Sequence, residues 1–259
     1  MIEMEHRNWR RYNHRSTVGF YASQKRLFAA EARILERIAH EIRDRPILDL
    51  GVGTGRTTPD LLAISRQYLG LDYSPRMIHM CRATYPGVPF AVGDARELGY
   101  LADSTYGLIL FSFNGIDYVT HPERLRVLRE VRRLLADDGF FVFSTHNARC
   151  LPQKPYDIRR LQLTWNPAKL AWRVLGYVAG IGHYFRIRKL LFEGEEYSYR
   201  ASGGQNYTVV SYHISVESQI EQLRENGFVV AGILNSMGVE IDARSDDASP
   251  WLYFLVRKS

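Results

Sequence analysis

Residues 47–56, Ile-Leu-Asp-Leu-Gly-Val-Gly-Thr-Gly-Arg, set a short apolar run directly against three alternating glycines. Four apolar-dominated residues that stop at a glycine read as a strand buried on both faces. The segment 57–64 that follows carries helical spacing. The chain must therefore pass from strand to helix through Gly51, Gly53 and Gly55. Glycine lacks a Cβ and tolerates positive φ, so such a turn brings backbone close to a ligand and aims free N–H groups at it. A plain tight turn is the alternative, but three glycines are an entropically expensive way to build one. A ligand at this turn is the expectation.

The pattern around the turn repeats. Runs at 47–50, 68–71, 89–92, 106–113 and 140–144 read as strands, and segments 57–64, 75–84 and 122–135 between them read as helices. After His146 this rhythm breaks, and it resumes with a helix from Ser215 to Glu225 and strands at 228–234 and 251–256. Regular strand–helix alternation argues for a doubly wound α/β fold whose seven-stranded sheet is mostly parallel. Residues 1–45 precede it as a helical arm. Residues 147–214 form an α+β insertion after the fifth strand, with a helix near 169–179 and a hairpin of 195–199 with 207–213. The cofactor-binding domain is then 46–146 together with 215–259.

The net charge of +6 is unevenly spread. Residues 1–45 carry ten Arg and Lys against six acids, and 149–212 carry ten against four, so the basic character flanks the α/β domain. Those two segments are where an acceptor or partner is sought. Arg10, Arg11, Arg15, Arg159, Arg160, Arg186 and Arg188 alternate there with aromatic residues, a combination suited to phosphate, carboxylate or a ring-bearing ligand. A solvated surface over a lid is the competing reading. No basic tail or recognised RNA-binding module accompanies them, so a nucleic-acid partner is not expected. The two cysteines, Cys81 and Cys150, belong to no metal-ligand pattern. No apolar run approaches the roughly 20 residues of a membrane span, and the N-terminal residues lack a signal-peptide core. A cytoplasmic protein with neither metal nor membrane partner is the expectation.

The glycine spacing narrows the ligand. Dinucleotide sites use G-x-G-x-x-G, and a P-loop needs Gly-Lys-Ser/Thr, neither of which occurs at this turn. Here an acid, Asp49, precedes G-x-G-x-G. In this respect the sequence resembles the class I S-adenosylmethionine-dependent methyltransferases. Further landmarks follow in that family's order over 46–146. Gly70-Leu71-Asp72-Tyr73-Ser74 puts an acid at the end of the second strand, where the resemblance implies that Asp72 holds both ribose hydroxyls. Gly93-Asp94-Ala95 is similar to the adenine-binding turn, although Asp94 taken singly reads as a helix cap. Residues 110–117, with Phe111 and Asn114, resemble the segment beside the methionine end. Tyr21, in the arm, is placed by the same resemblance over the cofactor. The resemblance thus implies a Rossmann-like fold, S-adenosyl-L-methionine as cofactor and S-adenosyl-L-homocysteine as product. Asp137-Asp138-Gly139 departs from the family's usual Pro-Gly-Gly, in a turn remote from the cofactor.

Methyl transfer from a sulfonium is an in-line displacement, and a base is needed only for a poor nucleophile. Ligands of parallel sheets bind at the carboxyl ends of the strands, so Asp117, His121 and His146 are the catalytic candidates. Asp117 also reads as a loop acid and His121 as a helix-start residue. His146 with Asn147 is the favoured pair. Asn147, Tyr12, Arg159, Arg160 and Tyr207 are candidates for the acceptor. The leading expectation is metal-independent O-methylation of a small polar or anionic acceptor. An N-acceptor, an RNA acceptor and a non-catalytic module that binds the cofactor as a regulator are the alternatives, with an aminopropyl transfer disfavoured by the basic insertion. Oligomeric state is not legible.

Overall fold

The computed structural model describes residues 2–259. The arm is three helices, α1 (Ile2–Tyr12), α2 (Arg15–Ser23) and α3 (Ala29–Ile38), where the periodicity predicted one. The breaks have local causes. The His14 imidazole accepts from the Ser16 N–H and starts α2 anew, and the Glu31 carboxylate accepts from the Phe28 N–H at the start of α3, 2.8 Å away.

The α/β domain then runs β1 (Ile47–Leu50), α4 (Thr58–Ile64), β2 (Tyr68–Asp72), α5 (Pro75–Thr84), β3 (Phe90–Val92), β4 (Tyr106–Phe111), α6 (His121–Leu134) and β5 (Leu135–Asn147). The insertion supplies α7 (Pro167–Ile187), β6 (Phe192–Glu193), β7 (Tyr197–Ala201) and β8 (Val210–Ile214). The chain closes with α8 (Val216–Glu225), β9 (Phe228–Asn235) and β10 (Trp251–Lys258). Strands β3, β2, β1, β4 and β5 lie side by side and parallel, β10 pairs antiparallel with β5, and β9 lies outside β10.

These seven strands match the expected sheet, but the whole sheet has ten. β5 is 13 residues long and overruns β4, whose register with it ends at Phe111–Phe143. The exposed edge of β5 at His146 and Asn147 is taken by His213 and Ile214 of β8, which carries β7 and β6 with it. A strand edge left open by a length mismatch attracts a partner, and the insertion provides one. α7 is also longer than predicted, at 21 residues.

Strand periodicity explains the two cores. Leu48, Ile109, Phe141 and Phe143 point to one face, against Leu128 and Val131 of α6 and Leu223 of α8. Ile47, Leu108, Phe140 and Val142 point to the other, against Ile34 and Ile38 of α3, Leu61 of α4 and Ile78 of α5. Successive strand residues face opposite ways, so a sheet covered on both sides must be apolar at every position. Each fully buried Leu, Ile or Phe contributes roughly 1.5–3 kcal/mol. The two-sided burial leaves the carboxyl ends of β1, β2, β3 and β4 as the place where polar groups can gather.

Candidate functional site

At those strand ends lies a cavity of about 470 Å³. Its floor is the glycine turn. Gly51, Gly53 and Gly55 have φ of +62°, +59° and +87°. A Cβ on Gly51 would stand 2.6 Å from the Phe111 ring, and one on Gly55 the same distance from the Tyr85 ring. Both positions thus need glycine for space as well as for φ. The turn is locked to the next strand by one carboxylate: Asp72 Oδ2 accepts from the Gly53 N–H at 2.9 Å, and its Oδ1 accepts from the Ser74 N–H at 2.8 Å. Burial pushes the Asp72 carboxyl up to about 6, against the two N–H groups that favour its charge.

Asp49 sits beneath the turn. Its Oδ2 accepts from Thr57 Oγ1 at 2.6 Å and Tyr68 Oη at 2.9 Å, so it fastens the start of α4 to β1 and β2. Burial drives its carboxyl up to about 7, outweighing those two hydroxyls. Asp94 and Ala95 line the far end of the cavity. There Arg96 grips Asp94 through two bonds, 2.9 Å to Oδ1 and 2.6 Å to Oδ2, and also reaches Glu5 at 2.7 Å. Burial raises the Asp94 carboxyl, but Arg96 more than cancels this and holds it below the ordinary range.

An aromatic cluster lines the cavity as well. Tyr12, Tyr21, Phe113 and Tyr118 line it, with Tyr12 and Tyr118 packed edge-on at 4.8 Å. Tyr73 also lines the cavity and lies 6.4 Å from Tyr12. The Tyr12 hydroxyl is buried without a hydrogen-bond partner, which marks it as a group awaiting one. Phe113 and Asn114 leave β4 at φ of +50° and +58°, unusual values for residues with a Cβ and costly unless the surroundings enforce them. The Asn114 N–H donates to Ser144 Oγ at 2.7 Å, which holds this bend.

α1 covers the cavity. Glu5, His6, Trp9 and Tyr12 line it from above, three of them at the four- and three-residue spacing of one helix face. Asn8, fully buried, ties α1 down by donating to Tyr118 O at 3.0 Å and Val210 O at 2.9 Å while accepting from the Val210 N–H. None of the lining residues lies in 147–214; the insertion meets the cavity wall through α1 and through residues 115–118, against which β8 packs.

The catalytic candidates form a second layer. Asp117 is fully buried and accepts four bonds: from Arg124 at 2.5 Å and Thr145 at 2.7 Å on Oδ1, and from the His146 N–H and Nδ1 on Oδ2, both at 2.6 Å. Burial opposes its charge, but Arg124 and His146 prevail and keep the carboxyl below its usual range. With Nδ1 bound to Asp117, the His146 Nε2 faces Asn114 Nδ2 at 3.4 Å. His146 does not line the cavity; its ring meets Tyr118, which does, edge-on at 6.0 Å. His121 faces the insertion instead, stacked on Tyr197 at 4.3 Å and bonded to Tyr212 Oη at 2.9 Å. Asn147 is buried and bonds Asp247 O. Arg159 pairs with Asp157, and Tyr207 donates to Gln153 O beneath the Arg160 guanidinium, 4.5 Å away. The cavity thus gathers Asp49, Gly51, Gly53, Asp72, Tyr73, Asp94, Ala95, Phe111, Tyr21 and Tyr12, and leaves Gly55, Asn114, Asp117, His121, His146, Asn147, Arg159, Arg160 and Tyr207 outside its wall.

Arg56, Arg96, Tyr118 and the α1 residues Glu5, His6 and Trp9 line the cavity without having been candidates in the sequence. Arg56 lines the cavity while buried against Glu31 at 2.6 Å and over the Phe28 ring at 4.5 Å. The four- and three-residue spacing of Glu5, Trp9 and Tyr12 is the signal by which the sequence could have shown α1 as a cover.

Residues 47–139 match the family model of a methyltransferase domain. A protein of Mycolicibacterium smegmatis described as a probable S-adenosylmethionine-dependent methyltransferase is 27% identical over 151 residues, which make up 56% of this chain and 57% of that one. The chain spans 43% to 59% of the length of the first curated relatives it matches. Among solved structures, an S-adenosylmethionine-dependent methyltransferase from Mesorhizobium loti superposes with a TM-score of 0.58 at 22% identity, covering 88% of this chain and 98% of the other. A Burkholderia thailandensis 1,6-didemethyltoxoflavin-N1-methyltransferase, with its acceptor and S-adenosylhomocysteine bound, has a TM-score of 0.57 at 14% identity, covering 93% and 81%. The glycine turn, the strand-end acids and these likenesses agree: residues 47–139 are a domain of the class I S-adenosylmethionine-dependent methyltransferase superfamily, whose cofactor is S-adenosylmethionine.

Proposed function

We propose that the chain transfers a methyl group from S-adenosylmethionine to a hydroxyl of a small polar acceptor. The observation that carries this reading is that one cavity is lined both by Asp72 and Asp94 and by the aromatic cluster at and beside the exit of β4. When bound, the cofactor supplies a methyl activated by its sulfonium. The residues fit it. Asp72 retains lone pairs beyond those taken by Gly53 and Ser74, enough for ribose hydroxyls. Tyr12, Tyr21, Phe113 and Tyr118 offer ring faces to a cation and exclude water, and the Tyr12 hydroxyl has a bond to give.

His146 is the base in this reading. Asp117 holds Nδ1 and fixes the tautomer in which Nε2 accepts a proton. Tyr118, which lines the cavity and meets the His146 ring edge-on, stands between the base and the acceptor. An anionic acceptor is favoured by His6, which lines both the cavity and an adjoining groove with Arg7, Arg10 and Arg11. The insertion, 147–214, acts on the acceptor through α1, by way of Asn8.

The test is incubation with methyl-labelled cofactor and fractionated cell extract, followed by comparison of the wild type with His146→Ala. Label in a small-molecule hydroxyl, with slow turnover and unchanged S-adenosylhomocysteine affinity in the variant, is the expected result. A nitrogen acceptor is the second reading, favoured by the distance of His146 from the cavity wall, since an amine needs no base. It predicts a wild-type rate for His146→Ala. Cofactor binding without transfer to any pool would leave only a regulatory module.

A further inference from the structure

Most of the exposed large hydrophobic side chains among the described residues fall between 151 and 192. On α7 they make a stripe. Ala168, Trp172, Leu175, Val178 and Phe185 recur at helical spacing along one side and all are exposed, Trp172 by 78% and Leu175 by 66%. The opposite side, Leu170, Arg173, Tyr177, Gly180, Tyr184 and Ile187, is half-buried or buried against the rest of the insertion and α1. A surface helix normally turns its apolar side to the core. α7 also turns one outward, and Leu163 and the wholly exposed Trp165 extend it toward the chain's N-terminal side. A contiguous apolar surface of this kind marks an interaction site.

The charge around it names the partner. Residues 149–190 hold nine Arg and Lys and one acid, Asp157. Arg159 pairs with Asp157, Arg149 with Glu217 and Asp246, and Lys189 with Glu3, which leaves Lys154, Arg160, Lys169, Arg173, Arg186 and Arg188 without an acidic partner among the described residues. Lys169, Arg186 and Arg188, all exposed, lie on or beside α7, whereas Arg173 turns inward to the Gln162 carbonyl. We propose that α7 and the segment before it dock on an anionic lipid bilayer, with the Trp172–Leu175–Val178 stripe in the headgroup–acyl boundary and the basic side chains on the headgroups. Tryptophans that flank an apolar stripe, with lysine and arginine around it, are the composition of a helix lying in a membrane interface. A second copy of the chain would press two basic surfaces together, which their repulsion opposes. No described helix is long and apolar enough to cross a membrane, so α7 lies along the surface. The lack of a span excludes crossing a bilayer by a described helix, not lying along its surface. Docking bears on the cavity, because Ile187 packs with Met4 of α1 and Lys189 pairs with Glu3 at 2.9 Å.

The full chain is to be titrated with vesicles of phosphatidylcholine alone and of an equal mixture with phosphatidylglycerol, binding being read by co-flotation. Binding to the mixed vesicles should be at least about tenfold stronger than to the neutral ones and should weaken with salt. Trp172→Ser with Leu175→Ser should lower it by about tenfold or more, from two apolar side chains no longer buried. Lys169→Glu with Arg186→Glu should lower it on the mixed vesicles only. Circular dichroism and S-adenosylhomocysteine titration of each variant, both expected unchanged, separate this result from misfolding and from the fate of the methyltransferase reading. Equal or absent binding to both vesicle types overturns the proposal. So does a dimer in light scattering that Trp172→Ser with Leu175→Ser dissolves, which would give the stripe to a second copy.

Discussion

Replacing Asp117 with asparagine is the sharpest test of how the second layer of the site is held. Asp117 and Arg124 are both fully buried and 2.5 Å apart. The guanidinium also reaches Gln219 at 2.6 Å, Gln222 at 3.0 Å and Thr145 at 3.2 Å, and lies 4.6 Å over the Tyr212 ring. Asparagine keeps the shape but removes the charge, and its amide NH2 faces donors on whichever side it turns, because all four partners of the carboxylate donate. Breaking one side of a buried pair costs about 3–5 kcal/mol. In a chain of this size that is a fall in Tm of roughly 10 °C. Urea unfolding at pH 7 with scanning calorimetry measures it. The double variant Asp117→Asn with Arg124→Met should recover part of the loss, since no buried charge is then left alone. The pH dependence carries the opposite check. Because Asp117 is held below its ordinary range, its stabilisation is present above about pH 4 and lost as pH falls through the native value. The wild type should therefore lose stability in acid more steeply than Asp117→Asn. A loss under about 1 kcal/mol, with an unchanged acid limb, would refute the claim that this pair anchors His146.

Asp49 should behave in the reverse sense. Its carboxyl is raised to about 7 in the native state, so the cost of its charge grows as pH rises from about 4 to 7 and reaches about 4 kcal/mol; Asp49→Asn should be clearly less destabilising at pH 8 than at pH 5 in urea titrations, and a pH-independent difference would contradict the burial argument. Asp72→Ala should weaken S-adenosylhomocysteine binding by about 1.5–3 kcal/mol in calorimetry, the worth of hydrogen bonds to a charged group, and should loosen the glycine turn that its Oδ2 now holds through Gly53. Unchanged affinity would remove it from the cofactor site. Gly51→Ala meets both a left-handed φ and the Phe111 ring, so it should lose roughly 1–3 kcal/mol of stability and bind cofactor more weakly; a variant as stable as the wild type would show that the turn can move. Asn8→Ala breaks three bonds that hold α1 over the cavity and should speed cofactor dissociation in stopped-flow exchange while Tm falls by only a few degrees.

The parts of the molecule legible in sequence are those where one residue type has one physical use. Three alternating glycines after Leu50 have a single economical explanation, and the structure sets two of their missing Cβ positions in clashing distance of aromatic rings. Strand runs apolar at every position demand a sheet covered on both sides, and Leu48 beside Ile47 fills two different cores. Polar residues at strand ends carry no such single use. His146, His121 and Asn147 follow strands or begin helices in the same way, yet one is bound to Asp117, one to the insertion's tyrosines and one to the Asp247 carbonyl. Which of these happens depends on contacts across the chain: His121 is claimed by Tyr212, 91 residues away, and Asn8 by Val210, 202 residues away. The extra strands have the same origin, since a 13-residue β5 beside a six-residue β4 leaves an edge whose partner no local pattern names.

The direction of α7 shows the limit most clearly. Its apolar residues recur at three and four, and that periodicity is identical whether the stripe faces a core or the outside. What decides is competition for the inward side. Gly180 lets Arg160 and Asn206 approach one flank, Tyr177 bonds Tyr156 O on the same side, and Ile187 is taken by Met4 and Tyr207. These contacts orient the helix through one polar and one apolar anchor and leave Trp172 and Leu175 on the far side. The same anchors join α7 to α1, the cover of the cavity, so whatever binds the outward stripe acts on a helix already tied to the cofactor site.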